Sequence, residues 1–105
     1  MNKNERPIPE AALLDENAVE LVRAWVAQNS LHCSLRIGMY EEGMKVPEEK
    51  AWGIVLADIA RHVAAGIQSS YGRDSAESLA RIQKVFHQQL DEAPPTMRGG
   101  FVTRN

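Results

Sequence analysis

Two pairs of residues have the types and spacing to do chemistry. Asp58 and His62 stand at i and i+4 in "LADIARHV", a spacing that puts both on one helix face, where a carboxylate could orient an imidazole for general-base work. His32 and Arg36 share one side of the alternating segment "LHCSLRIG", with Ser34 between them. A guanidinium there can grip a carboxylate or phosphate in two places, so this polar side is a candidate anionic-ligand or partner site. A general base also needs a nucleophile or a bound substrate beside it. The sequence marks neither, and no catalytic residue is assigned. The plainer readings are a structural Asp58–His62 pair at the border of an apolar stripe, and a solvated strand face.

Other chemistry is thin. His87 could join His62 only if two helices aligned, and the HExxH spacing of two helical metal ligands is absent, so neither a metal nor a cofactor is expected. Cys33 is the only cysteine, which precludes an intramolecular disulfide and a thiolate metal cage and suits a reducing cytoplasm. By parity it belongs with Leu31 and Leu35, as a small buried hydrophobe. A single "RGG" at 98–100 lacks the neighbouring basic charge of an RNA-binding tract. The net charge is −2 and the pI about 5.9, a balance without the clustered Lys and Arg that neutralise phosphates, so nucleic acid is not an expected partner. "MNKNERPIPE" lacks a signal peptide's apolar core, and no uninterrupted apolar run is long enough to span a bilayer, so no membrane role is expected and the cytoplasm is the expected location.

These residues must be carried by elements that punctuation and periodicity place. At 105 residues the chain has the length of one domain, enough for a single core. Residues 1–14 read as an arm, 15–93 as one helix-strand-helix-helix domain and 94–105 as a tail. Asp15 can cap a helix over about 15–28, with Ala18, Val22, Trp25 and Val26 inward. "QNS" ends it, and the period changes to 2. Leu31, Cys33, Leu35 and Ile37 then point one way and His32, Ser34 and Arg36 the other, the pattern of a strand covered on one face. Its partners could be a return strand at Met44–Val46, the segment Phe101–Thr103 beyond the "GG" at 99–100, or the same strand of a second copy.

Pro47 opens the longest helix, with Glu48 and Glu49 in its first turn. Trp52, Val55, Leu56, Ile59, Val63 and Ile67 form its apolar stripe, beside a small-residue stripe of Gly53, Ala57, Ala60 and Ala64 that lets another backbone approach. Gly72 supplies a left-handed cap. Asp74, or Ser75, caps a last helix that buries Leu79, Ile82, Phe86 and Leu90 and stops at Pro94 and Pro95.

The runs "LHCSLRIGMY" and "AWGIVLADIARHVAAGI" resemble, over roughly residues 6–90, a family of small bacterial proteins known only as a domain of unknown function. That resemblance implies a fold and no activity. The expected fold is α+β, three main helices packed on one face of a small antiparallel sheet that dimerisation could complete. The expected function is a non-enzymatic homo-oligomeric interaction or accessory module, a homodimer with a protein partner. Its interface would draw on Ser34, Trp52, Gly53, Ile54 and Ala57, Ile54 lying roughly opposite the apolar stripe of its helix. The alternative is a small-molecule binder or minor enzyme using His32, Arg36, Asp58 and His62.

Overall fold

Local chemistry in residues 15–36 decides the architecture. The computed structural model describes residues 4–92 and 101–104. Its elements are α1 (Glu10–Leu14), β1 (Val22–Ala27), β2 (Ser30–Arg36), α2 (Met39–Met44), α3 (Glu48–Tyr71), α4 (Ser75–Asp91) and β3 (Phe101–Arg104). The class is α+β, with an antiparallel hairpin and three helices, α2 to α4, following it.

The helix expected over 15–28 is not formed, and β1 takes its place. Val22, Ala24 and Val26 alternate with Arg23, Trp25 and Ala27, so the stretch satisfies a period of 2 as well as 3.6, and its β-branched and aromatic residues fit a strand. The turn settles the choice. Gln28 and Asn29 take φ values of 53° and 62°, the two consecutive positive angles of a type I′ turn, and Ala27 pairs with Ser30 directly across it. Asp15 opens no helix and instead stands at the C-cap of α1. It follows the single helical turn of α1, and its Oδ1 accepts from the Asn17 N–H at 2.9 Å.

The return strand expected at Met44–Val46 is also absent. Residues Met39–Met44 form α2, closed by Lys45 at φ 59°. Of the foreseen partners for β2, the C-terminal segment is the one present. Phe101–Arg104 pairs in parallel, with register Cys33↔Phe101 through Arg36↔Arg104. The other edge is filled by β1, antiparallel, from Val22↔Leu35 to Ala27↔Ser30. The order is β1-β2-β3. With both edges of β2 occupied, pairing of this strand with its own copy is closed off, and any dimer must use other surfaces. Pro94, Pro95, "RGG" and Gly99–Gly100 lie outside the described residues.

The long helices begin and end as their residues require. Pro47 is the N-cap of α3, and Gly72, at φ 74°, ends it by donating its N–H to the Gln68 carbonyl at 2.8 Å. Asp74 caps α4, its Oδ2 accepting from the Glu77 N–H at 3.0 Å. Glu41 and Glu48 cap each other's helices. The Glu48 carboxylate accepts from the N–H groups of Tyr40 (3.0 Å) and Glu41 (2.9 Å) in the first turn of α2 and from Trp52 Nε1 (3.0 Å), while Glu41 Oε1 accepts from the Glu48 N–H (3.2 Å). These hydrogen bonds tie the start of α3 to α2.

Packing is where the chain departs most from a self-contained domain. Contacts run from β1 to β2, β2 to β3, α2 to α3 and α3 to α4; no described helix packs broadly on the sheet. The α3–α4 pair brings small residues together, with Ala64 only 2% exposed and Ser78 buried. Part of the small-residue stripe thus does the work expected of it, at Ala60 and Ala64, while Gly53 and Ala57 remain exposed. Among the described residues the only buried large-to-small apolar side chains are Ala51 and Ala64. Leu56, Ile59 and Val63 of α3 and Phe86 and Leu90 of α4, expected inside, are exposed. The stripes are real, but the described residues leave them largely exposed.

Candidate functional site

The hairpin register sorts the sheet into two chemically distinct faces. Residues directly opposed in an antiparallel pair share a face, so Val22 with Leu35, Ala24 with Cys33 and Val26 with Leu31 make one wholly apolar surface. Val26 is 80% exposed and Leu31 54%. Cys33 is a free thiol at the centre of this surface, beside Leu31 and Leu35 as its parity implies.

The opposite face carries Arg23 with Ser34, Trp25 with His32, Ala27 with Ser30, and Arg36. Glu20 takes two hydrogen bonds from the Arg23 guanidinium, at 3.1 and 3.3 Å, and Glu5 pairs with its Nη1. The Glu20 contact, then Glu5, holds the Arg23 pKa above its ordinary value. The Glu5 pairing brings the N-terminal arm beside β1, leaving a groove of ≈ 510 Å³ lined by residues 4–9 and by Glu20 and Val22–Val26. Arg36 donates from Nε to the Glu20 carbonyl at 3.1 Å. It also borders a hollow of ≈ 460 Å³ with Val19, Gly38, Met39, Glu42 and Gly43. His32 Nε2 lies 3.2 Å from both Ser30 Oγ and the Ala27 carbonyl, and in the tautomer protonated there it donates to the carbonyl at the hairpin end.

The candidate ligand residues fall on two elements. His32 and Arg36 are on β2, and Asp58 and His62 are on α3, which makes no broad contact with the sheet. His62 Nδ1 donates to the Asp58 backbone carbonyl at 2.8 Å, while the Asp58 carboxylate is 3.6 Å away and also 3.8 Å from Arg61. The imidazole is therefore held mainly by its own helix backbone. His87 meets the Phe86 ring edge-on, centroids 6.0 Å apart. No three His, Cys, Asp or Glu side chains among the described residues stand close enough to hold a metal ion. Of the candidate interface residues, Ser34 is exposed on the polar sheet face. Trp52 is half-buried and tied to Glu48, and Gly53, Ile54 and Ala57 line the exposed side of α3.

Sequence reasoning missed the mutual capping by Glu41 and Glu48. The backbone N–H of Gly38, then that of Glu41, holds the Glu48 carboxyl below its usual pKa, with Trp52 and Tyr40 adding to the effect against partial desolvation. The signal was present as acidic residues near two helix starts, but only the fold brings those starts together.

A short β-hairpin and a long helical pair, each with apolar side chains left exposed among the described residues, make up a small α+β domain. The chain belongs to the family described as a domain of unknown function, DUF5076, whose profile matches residues 5–94. It is similar to a solved structure from the photosynthetic bacterium Rhodopseudomonas palustrus CGA009, described as a "putative pyruvate dehydrogenase", at 27% identity and a TM-score of 0.64, with 92% of each chain covered. No curated protein matches the chain. No helix among the described residues is long and apolar enough to cross a membrane.

Proposed function

We propose that this protein is a non-enzymatic interaction or accessory module of the bacterial cytoplasm, working as a homodimer in which a second copy completes the core. One observation carries the reading: fifteen large apolar side chains are at least 40% exposed among the described residues, against two buried apolar residues, both alanine. Isolated exposed apolar residues are ordinary, but contiguous faces of them mark interaction surfaces.

The accessible area of 8933 Å² exceeds the roughly 5,900 Å² of a compact monomer of this mass by about 3,000 Å². Even if the residues outside 4–92 are granted all the surface of an unfolded chain, an excess of roughly 1,100 Å² per protomer remains. Two protomers then offer about 2,200 Å², within the range of obligate dimers.

The neighbour's description as a dehydrogenase brings no residue role with it, and the candidate base Asp58–His62 lies apart from the candidate anion anchor Arg36. A second reading, an anionic small-molecule binder, draws on the hollow beside Arg36; Glu42 in its lining opposes an anion electrostatically. The homodimer is tested by the unfolding midpoint as a function of protein concentration. An obligate dimer unfolds at higher temperature as concentration rises. A midpoint independent of concentration over a hundredfold range contradicts the proposal.

A further inference from the structure

The seam between α3 and α4 divides the helical pair into two flanks. Ala60 and Ala64 of α3 meet Ser75, Ser78 and Ile82 of α4 there, Ala64 and Ser78 buried and the others half-buried. At about 100° per residue, Ala57 and Ile54 lie to one side of the Ala60–Ala64 line, and Leu56, Ile59 and Val63 lie to the other. The same count on α4 sets Leu79, Phe86 and Leu90 to one side of its seam residues and Val85 to the other. Because the helices run in opposite directions, the Phe86 side of α4 adjoins the Ile54 side of α3. Counted from the turn at residues 72–74, Leu90 is level with Ile54 and Phe86 with Ala57 to within one helical turn. One flank therefore carries Ile54, Ala57, Leu79, Phe86 and Leu90, of which Ile54 is 60%, Phe86 49% and Leu90 67% exposed.

We propose that this flank is the dimer contact, α4 of each protomer lying on α3 of the other about a two-fold axis that runs along the helical pair; the mode rests on the homodimeric reading above. A rotation about such an axis keeps each residue at its own level. Leu90 then meets the partner's Ile54, and Phe86 meets the partner's Ala57. Large side chains project from α4, while α3 is low at Ala57 and at Gly53, where a Cβ would meet nothing within 4 Å. Knobs on one helix thus face a shallow place on the other, and the two-fold makes the same contact twice. Arg61 stands at the edge of this flank with its guanidinium 3.8 Å from the Asp58 carboxylate, so it reaches the rim already partnered.

The size agrees with a stable pair. Two helices about 20 Å wide over the roughly 25 Å length of α4 cover roughly 500 Å² in plan. Side-chain relief raises this toward the roughly 800 Å² per partner of a standard interface, within the excess of roughly 1,100 Å² per protomer found above. The opposite flank is less open. Trp52 lies on it with Ile59, and Trp52 Nε1 donates to the Glu48 carboxylate that caps α2, so α2 stands at one end of that side.

A size swap tests the arrangement in the full-length protein. Ala57→Phe, Phe86→Ala and the double variant are compared with the wild type by sedimentation velocity over a dilution series, with far-UV circular dichroism to show that the helices persist. Ala57→Phe overfills the contact and should raise the dissociation constant by roughly a hundredfold. In the double variant the large and small groups have changed places across the same contact, and association should return to within about tenfold of the wild type. Ala57→Glu, which keeps helix propensity and places a charge in the contact, should also dissociate, and Val63→Glu on the other flank should not.

Wild-type association by folded Ala57→Phe or Ala57→Glu overturns the assignment of this flank, as does dissociation of folded Val63→Glu. A double variant weaker than either single variant shows that Phe86 does not meet the partner's Ala57, and overturns the packing of α4 on α3. In each of these outcomes the homodimer stands and the mode fails. A monomeric wild type at all concentrations removes both.

Discussion

Replacing Phe86 by alanine should convert the protein into a weakly associating one. Phe86 lies on α4, where alanine keeps helix propensity intact, and the residue is 49% exposed within the chain. A phenylalanine buries on the order of 200 Å² when fully enclosed, so about 100 Å² remains for a partner to cover. At about 25 cal/mol per Å² that is about 2.5 kcal/mol per protomer. The two-fold repeats the contact, giving about 5 kcal/mol per dimer, or a dissociation constant raised by between three and four orders of magnitude, roughly 4,000-fold. Sedimentation velocity over a dilution series reads this directly. The variant should dissociate at concentrations where the wild type remains associated, with its far-UV circular dichroism still helical. If the variant and the wild type have the same mass distribution at every dilution, Phe86 is not in the contact and the assignment of the helical face is wrong.

Other consequences concern the elements that carry the two faces. Changing Gln28-Asn29 to Asn-Gly should stabilise the hairpin by up to about 1 kcal/mol, because glycine and asparagine hold positive φ more readily than glutamine does; chemical denaturation checks it, and an unchanged or lower midpoint contradicts the type I′ assignment. Asp74→Ala removes the cap of α4 and should cost about 1 kcal/mol in the same assay, with Asp74→Asn retaining most of the stability. Glu48 has a folded pKa below its unfolded value of about 4.3, so the unfolded state binds more protons as pH falls. Its stabilising effect is present above that value and is lost as pH drops through the lower folded pKa. Denaturation midpoints measured from about pH 3 to 6 should therefore show a steeper acid loss for the wild type than for Glu48→Gln, and equal slopes would show that the mutual capping does not operate.

The two long helices are legible in the sequence because every local signal agrees. Pro47 and Glu48 open one, Gly72 closes it, Asp74 caps the next, and each carries an apolar stripe at the helical period. The strand read at 31–38, formed over 30–36, is legible for the same reason, as is the sharing of one face by His32, Ser34 and Arg36. The first strand is not, because Val22, Trp25 and Val26 satisfy two periods at once and the deciding turn uses Gln28, a residue seldom found at positive φ. α2 is hidden in "MYEEGM", whose short length leaves no full stripe to read. Burial failed for a different reason. A pattern such as Leu56, Ile59, Val63 states that a helix face is apolar; whether its own chain or another covers it depends on tertiary placement. Dispersal of His32, Arg36, Asp58 and His62 over two elements has the same origin, since spacing along one helix or strand says nothing about how α3 meets the sheet.

Absolute mass in solution, by light scattering coupled to size exclusion over a wide concentration range, tests most directly whether a second copy completes this core. A mass near twice the 11.7 kDa chain, persisting on dilution into the micromolar range, is the predicted result. A mass near 11.7 kDa at every concentration, with cooperative unfolding retained, would contradict it and show that the exposed faces of the sheet and of the helical pair are stable in water without a second copy.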